Sequence, residues 1–215
     1  MGSAIRTFLG DALEAKSKQL ISADFFRSDP LVCAPGLIGT TLVWGRCTGI
    51  IVETEAYLAE NDEAAHTFSR PSARAFIDRN RAGAAYVYFN YGVHWMLNVL
   101  VKGGTADGFV LIRALEPQGG IALMKQRRGV EDLRRLCSGP GKLTQALNIT
   151  GRHHELDLCR DPRRCFLPRP HTRIEVVADK RIGITRSADF PWRFTLRGSR
   201  FVSLPASPSS ARLKR

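Results

Sequence analysis

The clearest pattern along the chain is an alternation of apolar and polar residues that is typical of β-strands. Residues 49–58 are rich in β-branched side chains and alternate between apolar and polar, which predicts a strong strand. Shorter apolar or aromatic runs predict further strands at residues 40–44, 84–90, 94–101, 108–114, 174–184 and 193–204. Tyr91-Gly92 separates two of these runs and predicts the turn of a β-hairpin.

Helical patterns are fewer and shorter than the strand patterns. Apolar spacing over residues 31–38 predicts a helix of one or two turns, and residues 120–136 predict a longer helix with a basic face. A Gly-Pro-Gly turn then leads into a short helix within 138–147. Antiparallel strands with helices between them predict an α+β fold: a single domain with a curved antiparallel β-sheet, a protruding β-hairpin and surrounding helices.

Domain boundaries follow from composition. The chain has 215 residues, which fits one domain. Residues 1–28 are predicted to form a loosely ordered arm, with a helix over 11–20, and residues 29–204 the single domain. The Ser-, Pro- and Arg-rich residues 205–215 predict a disordered basic tail. Residues 59–83 form a long polar excursion that we expect to be functional or mobile.

The net charge of the chain indicates which class of partner it binds. Lys and Arg number 32 against 20 for Asp and Glu, a net charge of +12, so we expect a polyanionic partner, either nucleic acid or an acidic membrane surface. A basic surface that serves only solubility is the alternative. We expect no membrane span, because no stretch approaches the ~20 apolar residues required, and no secretory signal. Five scattered cysteines favour a reducing compartment.

Two carboxylates and an aromatic residue share one face of the predicted strand 49–58. Alternation places Glu53, Glu55 and Tyr57 together, opposite a face that suits a core. An edge strand with a solvated acidic face would explain this pattern; the chemical interpretation is a carboxylate base beside a stacking aromatic ring. Arg113 ends an apolar run and needs a carboxylate partner if buried. Glu53 or Glu55 would serve if the two strands are neighbours.

Two other segments suit a nucleic-acid partner. Tyr91, at the predicted hairpin tip, either caps its own hairpin or acts as a wedge between stacked bases. The segment Ser138-Gly139-Pro140-Gly141-Lys142 precedes a short helix and is either a plain turn or a phosphate site, although its spacing is not that of a Walker loop. Neither His66 alone nor the His and Cys residues of 153–165 match a standard metal site.

Taken in order, these segments resemble the alkyladenine (3-methyladenine) DNA glycosylase family. The resemblance runs from about residue 31 to about residue 203, and it is carried by Ile51-Val52-Glu53-Thr54-Glu55-Ala56-Tyr57-Leu58, Asp62-Glu63-Ala64-Ala65-His66, Tyr86-Val87-Tyr88, Tyr91-Gly92, Asn98, Leu111-Ile112-Arg113-Ala114-Leu115-Glu116-Pro117 and Cys137-Ser138-Gly139-Pro140-Gly141-Lys142-Leu143. After His66 the family usually has Thr-Pro-Arg-Asn and then Met-Phe. This chain has Ser72-Ala73-Arg74-Ala75 and then Asp78-Arg79, in a loop expected to approach DNA, and shares only the arginine.

The resemblance implies a monofunctional DNA repair enzyme. Such an enzyme flips 3-methyladenine and related alkylated purines out of duplex DNA and hydrolyses the N-glycosidic bond without a metal or cofactor, leaving an abasic site. The roles it implies are catalysis by Glu55, Arg113 and His66, a base pocket of Tyr57, His66, Tyr88 and Asn98, intercalation by Tyr91, and DNA-backbone contacts from Lys142, Ser138, Gly139 and Arg74. It also implies a monomer without membrane contact, in the cytoplasm (nucleoid) of a bacterium or in a eukaryotic nucleus.

Two other functions remain open at this stage. Glu53 and Glu55 could form the acid–base pair of a carbohydrate glycosidase. The +12 charge and Tyr91 argue against that reading, because a neutral sugar requires neither. A non-catalytic protein that binds damaged DNA would also explain the charge and the hairpin-tip aromatic residue.

Overall fold

Two long antiparallel strands, β2 (Cys47–Leu58) and β5 (Gly108–Gly119), form the centre of the sheet. The computed structural model describes residues 20–170, 173–207 and 210–213. All nine strands formed by these residues belong to one antiparallel sheet. The strands on the β5 side of the centre are β4 (His94–Val101) and, at the edge, β3 (Ala85–Asn90). Those on the β2 side are β8 (Arg193–Leu196), β7 (Val176–Asp179) and, at the opposite edge, β9 (Ala211–Leu213).

Five short α-helices accompany the sheet in the described part of the chain. They are α1 (Pro30–Leu37), α2 (His66–Ser69), α3 (Pro71–Arg79), α4 (Ile121–Arg128) and α5 (Pro140–Leu147). The remaining strands, β1 (Thr41–Trp44) and β6 (Arg164–Leu167), pair with each other, and β1 also pairs with the start of β2. The α+β architecture predicted from the sequence is therefore confirmed.

The strands β3, β4 and β5 bury side chains on both of their faces. On one face Val87, Val99 and Ile112 join the main core, to which α1, α4 and α5 contribute. On the other face Tyr86 and Phe109 pack against α3 in a second, smaller core. Alternate residues of the same strands therefore pack into the main core on one face and surround a cavity, described below, on the other. The sheet gives that cavity a rigid wall.

Several predicted boundaries are wrong. The strand predicted over residues 108–114 continues as β5 to Gly119, with irregular register opposite Thr48 and Gly49. The helix predicted over 120–136 ends at Arg128, because Gly129 adopts a left-handed φ of 64° and caps the helix through a bond to Lys125 O. A separate 3₁₀ turn follows at Leu133–Arg135.

The predicted terminal segments also differ from the structure where it describes them. A 3₁₀ turn at Phe25–Arg27 buries Phe26 completely, so the core already includes residues assigned to the arm. Strand β9 pairs with β7 inside the tail predicted to be disordered. The helix predicted over 11–20 lies almost entirely outside the described residues. The polar excursion 59–83 contains α2 and α3, and the apolar residues of α3 pack into the second core.

Candidate active site

Glu55 is fully buried in the central strand β2, so the edge strand with a solvated acidic face is excluded. Its Oε2 accepts hydrogen bonds from the Tyr57 hydroxyl (2.8 Å) and from Arg113 Nη1 (3.0 Å). Its Oε1 accepts one from the backbone N–H of Ile182 (2.7 Å). An ionised carboxylate offers about four acceptor positions. Donors from the described residues thus occupy three of these positions.

Glu53 has a different set of partners although it is equally buried. Its Oε1 accepts from Arg113 Nε (3.1 Å), Arg193 Nε (2.7 Å) and Ser203 Oγ (2.8 Å), and its Oε2 accepts from the Ser203 backbone N–H (2.6 Å). These four donors match the roughly four acceptor positions of a carboxylate. Glu53 therefore serves to fix Arg113 and to tie the segment around Ser203 to the central strand.

Arg113 joins the two carboxylates, as the sequence predicts for neighbouring strands. It stands on β5, and its guanidinium is almost completely buried. Burial alone would lower the pKa of Arg113, but the charges of Glu55 and Glu53 outweigh that effect and raise the pKa above its ordinary value. Arg113 is therefore a permanent cation between two buried carboxylates.

A cavity of about 430 Å³ lies beside these charges. All three described donors to Glu55, namely Tyr57, Arg113 and Ile182, line this cavity. Of the described donors to Glu53, only Arg113 does. Burial, together with the charge of Glu55 and the bond to it, holds the pKa of Tyr57 well above its usual value. The Tyr57 hydroxyl therefore stays protonated and keeps donating to the carboxylate.

Aromatic rings from two elements form one wall of the cavity. The His66 ring, at the start of α2, lies with its centroid 4.2 Å from that of Tyr88 on β3. His66 Nδ1 is 3.1 Å from the Tyr86 hydroxyl. Burial, assisted by the charge of Arg70, lowers the pKa of His66 to about 4. His66 is therefore a neutral imidazole at pH 7, and burial also raises the pKa values of Tyr86 and Tyr88.

Asn98 and Tyr91 both line the same cavity. Asn98 is buried on β4, directly opposite Tyr86 in the strand register, and its Nδ2 donates to Tyr86 O (3.2 Å). Tyr91 stands at the tip of the β3–β4 hairpin with 87% of its surface exposed. Its φ of 49° and the φ of 65° at Gly92 form a tight turn that carries the ring away from the core.

The predicted phosphate segment also lies next to the cavity. Pro140, the first residue of α5, lines the cavity, and Gly139 precedes it with a φ of 144°. Ser138 is half-buried and bridges to Ala114 on β5, whereas Lys142 is exposed on the first turn of α5. The N-terminus of α5 and one exposed cation therefore stand beside the aromatic wall.

Arg74 is the one predicted site residue that the structure places elsewhere. It lies on α3 and lines a different cavity of about 850 Å³, and its Nε donates to Thr67 O (2.6 Å). The divergent segment around Arg74 is a helix and does not form a loop: Phe76 is fully buried, with its ring centroid 4.9 Å from that of Tyr86. The residues that differ from the family pattern thus lie on a helix that packs behind the aromatic wall of the cavity beside Glu55.

Sequence reasoning missed several residues of the site. Arg70 lines the cavity with its guanidinium 5.8 Å from the Tyr88 ring centroid, and the proximity of an arginine to His66 could have indicated it. Ile182 contributes a backbone N–H, which any residue carries and no sequence motif marks. The other lining residues that were not predicted include Met96, Phe109, Leu111, Gly183 and Ile184.

The arrangement combines a buried carboxylate that has one open acceptor position with an adjoining aromatic cavity. Such a carboxylate can accept a proton from a water molecule while the rings stack against a planar substrate. Within residues 20–170, 173–207 and 210–213, no three His, Cys, Asp or Glu side chains form a group that could hold a metal ion. None of the described helices combines the length and apolar character of a membrane span.

Comparison with known proteins gives consistent matches. The model of the methylpurine-DNA glycosylase family matches residues 24–200. A protein of Rhodopseudomonas palustris (strain CGA009) is 48% identical over 86% of this chain and 89% of its own length. Proteins of Nitrobacter winogradskyi and Agrobacterium fabrum are 46% and 45% identical over 87% of this chain, and over 88% and 94% of their own lengths. All three carry the name "Putative 3-methyladenine DNA glycosylase".

Proposed function

The chain belongs to the methylpurine-DNA glycosylase family, and from this membership we propose that it excises 3-methyladenine and related alkylated purines from duplex DNA. It is a DNA repair glycosylase, and its product is an abasic site. The reaction is hydrolysis of the N-glycosidic bond without strand cleavage. The observation that carries the proposed mechanism is the fully buried Glu55 carboxylate, whose three described donors all line the aromatic cavity.

Glu55 acts as the general base in this proposal. A water molecule donates a hydrogen bond to Oε1, and its oxygen attacks C1′ of the deoxyribose as the glycosidic bond breaks. The bonding electron pair leaves with the purine, and the water's proton passes to Glu55. A 3-methylated adenine carries a positive charge before cleavage and departs as a neutral base, so the leaving group needs no general acid. Arg113 and the Tyr57 hydroxyl hold the carboxylate during this step.

The flipped base binds among the rings of Tyr57, His66 and Tyr88. Each aromatic face that contacts a cationic base contributes about 0.5–2 kcal/mol. Because burial and Arg70 hold the pKa of His66 to about 4, the imidazole carries no charge that would repel the cation at neutral pH. Asn98 contributes the polar group that borders the exocyclic edge of the purine.

Contacts with DNA compensate for the cost of flipping. Removing a base from the stack costs a few kcal/mol, and Tyr91 fills the space left in the duplex. Lys142, Ser138 and Gly139 contact the phosphates beside the N-terminus of α5. The proposed catalytic and pocket side chains come from one chain, which supports action as a monomer. The bacterial origin of the relatives supports action on the nucleoid, in the cytoplasm.

The partners of Glu53 argue against a two-carboxylate glycosidase. Such an enzyme requires a second carboxyl group that can exchange a proton with the substrate. Glu53 instead accepts bonds from two arginines and from both the hydroxyl and the N–H of Ser203. A non-catalytic DNA-binding protein is the remaining alternative, and the following experiment separates it from the enzyme.

The test compares wild type with Glu55→Gln on duplex DNA treated with dimethyl sulfate. Released bases are quantified by chromatography under single-turnover conditions, and DNA affinity is measured separately. We expect Glu55→Gln to slow base release by at least about 100-fold, the usual contribution of a general base, with the Kd for DNA unchanged within two-fold. Glu175→Gln, at an exposed carboxylate paired with Arg197, is the matched control with wild-type activity.

Two results would contradict the proposal. Base release by Glu55→Gln at the wild-type rate would refute the role of the carboxylate. Tight binding of alkylated DNA by wild type without release of any base would establish the non-catalytic alternative.

A further inference from the structure

The segment between β7 and β8 crosses from the sheet to the candidate active site. It contains Arg181, whose side chain is completely buried, followed directly by Ile182, Gly183 and Ile184 of the cavity wall. A fully buried arginine is costly unless its charge is paired and its N–H groups are satisfied. The partners of Arg181 therefore identify what this part of the chain is built to hold.

Asp62 pairs with Arg181 through both carboxylate oxygens. Arg181 Nη1 lies 2.6 Å from Oδ2, and Nη2 lies 2.8 Å from Oδ1. The same guanidinium donates to Ala56 O (3.1 Å) and to Ser187 O (3.1 Å). A bidentate pair fixes both the distance and the plane of the two groups. Arg181 therefore fastens its own segment to β2 and to the loop after β2.

Two aromatic rings also contact the guanidinium of Arg181. The Arg181 guanidinium lies 4.6 Å from the ring centroid of Tyr57 and 4.9 Å from that of Trp192. Trp192 stacks on Phe190 with a centroid distance of 4.3 Å and an angle of 11° between the rings. Arg181 is thus in contact with Tyr57, whose hydroxyl donates to Glu55, and it is bonded in sequence to Ile182, whose N–H donates to the same carboxylate.

We infer that Arg181 and Asp62 form a positioning pair for Glu55. The inference rests on the proposed function, because it concerns the carboxylate that activates water. Two of the three described donors to Glu55 depend on Arg181: the Ile182 N–H through the backbone and the Tyr57 hydroxyl through its ring. By fixing these donors, the pair keeps the Glu55 carboxylate in place beside the cavity that the donors line. Neither Arg181 nor Asp62 lines that cavity, so both act through other residues.

Energetics support a positioning role for this ion pair. A buried pair contributes little net stability compared with apolar side chains of similar volume, whereas loss of one partner leaves an uncompensated charge. Asp62 also accepts from the backbone N–H groups of Leu58 (3.2 Å) and Ala64 (3.1 Å), so it orders the loop that leads to His66. The pair therefore connects the carboxylate strand, the loop before His66 and the cavity wall at Ile182.

The test uses two variants of the full chain. Arg181→Lys keeps the charge but loses the bidentate geometry, and the double variant Asp62→Asn/Arg181→Met removes both charges, so that neither is left unpaired in the core. Three quantities are measured: the single-turnover rate of base release, the Kd for alkylated DNA, and native-state hydrogen exchange of the Ile182 amide by NMR. Arg197→Lys, at an exposed ion pair with Glu175, is the control with wild-type values.

We expect both variants to release base about 10- to 100-fold more slowly, the effect of misplacing a reacting group by about 1 Å, with the Kd changed less than two-fold. The Ile182 amide should exchange at least ten-fold faster. Faster exchange with a wild-type rate of release, or slow release with Ile182 still fully protected, would overturn the inference. If wild type itself released no base, the proposed function would fail, whereas the exchange measurement would still decide whether Arg181 holds Ile182 against Glu55.

Discussion

Two carboxylates on the same strand have different hydrogen-bond partners, and the proposed mechanism gives them different roles for that reason. Glu53 and Glu55 are both fully buried and share Arg113. From the described residues, Glu53 accepts four hydrogen bonds and Glu55 accepts three. All three donors to Glu55 line the cavity. In the proposed mechanism, the acceptor position that these donors leave unoccupied on Glu55 receives the hydrogen bond of the attacking water.

At the same scale, His66 gives stability a dependence on pH. Burial and Arg70 lower its pKa to about 4, whereas the ordinary value in an unfolded chain is 6.5. The unfolded chain therefore binds a proton near pH 6.5 that the folded protein does not bind until about pH 4. This contribution to the free energy of unfolding is fully present above pH 6.5 and is lost as the pH falls towards 4.

His66→Gln should remove this part of the pH dependence. We expect the loss of free energy of unfolding between pH 7 and pH 4.5 to be about 1–3 kcal/mol smaller in the variant than in wild type. Urea unfolding at a series of pH values measures the difference. Burial also lowers the pKa values of His153 and His154, but they are present in both proteins and cancel in the comparison. Identical pH profiles would contradict a neutral His66.

At the scale of elements, the two ends of the β3–β4 hairpin differ in burial. Its base packs in both cores through Val87 and Tyr86, whereas its tip exposes Phe89, Tyr91 and Val93. An exposed apolar tip on a basic protein gives little to the stability of the monomer. Exposed apolar side chains of this kind mark interaction sites.

Tyr91→Ala should therefore impair base flipping and leave stability unchanged. We expect single-turnover release of a paired alkylated base to fall about ten-fold or more, while release of the same base from single-stranded DNA stays within two-fold, because no stack has to be opened there. The melting temperature should match wild type, since 87% of the Tyr91 surface is exposed. An equal loss on both substrates would eliminate the wedge role.

Local patterns predicted the elements of this fold better than their ends. Alternation identified the hairpin strands β3 and β4 almost to the residue, because each strand has two chemically distinct faces. The end of α4 depends on the backbone conformation of Gly129, and the short arm turn around Phe26 depends on a core assembled from distant segments. Gly129 is thus a local signal for the end of a helix, whereas the turn around Phe26 is set by tertiary contacts, which no local window contains.

The candidate site also contains residues that the sequence predicted and residues that it did not. Pairing of Arg113 with Glu53 or Glu55 was predictable from burial and charge if the strands are neighbours, and the structure shows that Arg113 contacts both. The role of Ile182 was not predictable, because the group it supplies is a backbone N–H. Arg181 carried no signal either, since one arginine among many in a +12 chain stands out only once its buried partner Asp62 is located.

For the whole molecule, the net charge of +12 governs the encounter with DNA. Each phosphate neutralised by a lysine or arginine releases a counterion, so the logarithm of affinity falls linearly with the logarithm of salt concentration. The sheet has its site-bearing hairpin β3–β4 at one edge and β9 at the other. This geometry provides two exposed cations for comparison, Lys142 near the cavity and Arg212 on β9.

Lys142→Ala should lower both the affinity for DNA and its salt dependence. We expect the slope of log affinity against log salt to decrease in magnitude by about 1, the effect of losing one phosphate contact. Arg212→Ala removes the same charge from the far edge of the sheet and should leave the slope unchanged. Fluorescence anisotropy titrations at several salt concentrations provide the measurement. Equal slopes for wild type and Lys142→Ala would place the phosphate contacts elsewhere.

The hydrogen bonds around the central strand also govern when activity can arise during synthesis. Glu55 leaves the ribosome 127 residues before Ile182, and Glu53 leaves it 150 residues before Ser203. Contacts between such distant residues form late and slowly. A nascent polypeptide thus carries its acidic side chains long before it has the groups that orient them, and enzymatic competence arrives only after translation has passed residue 203.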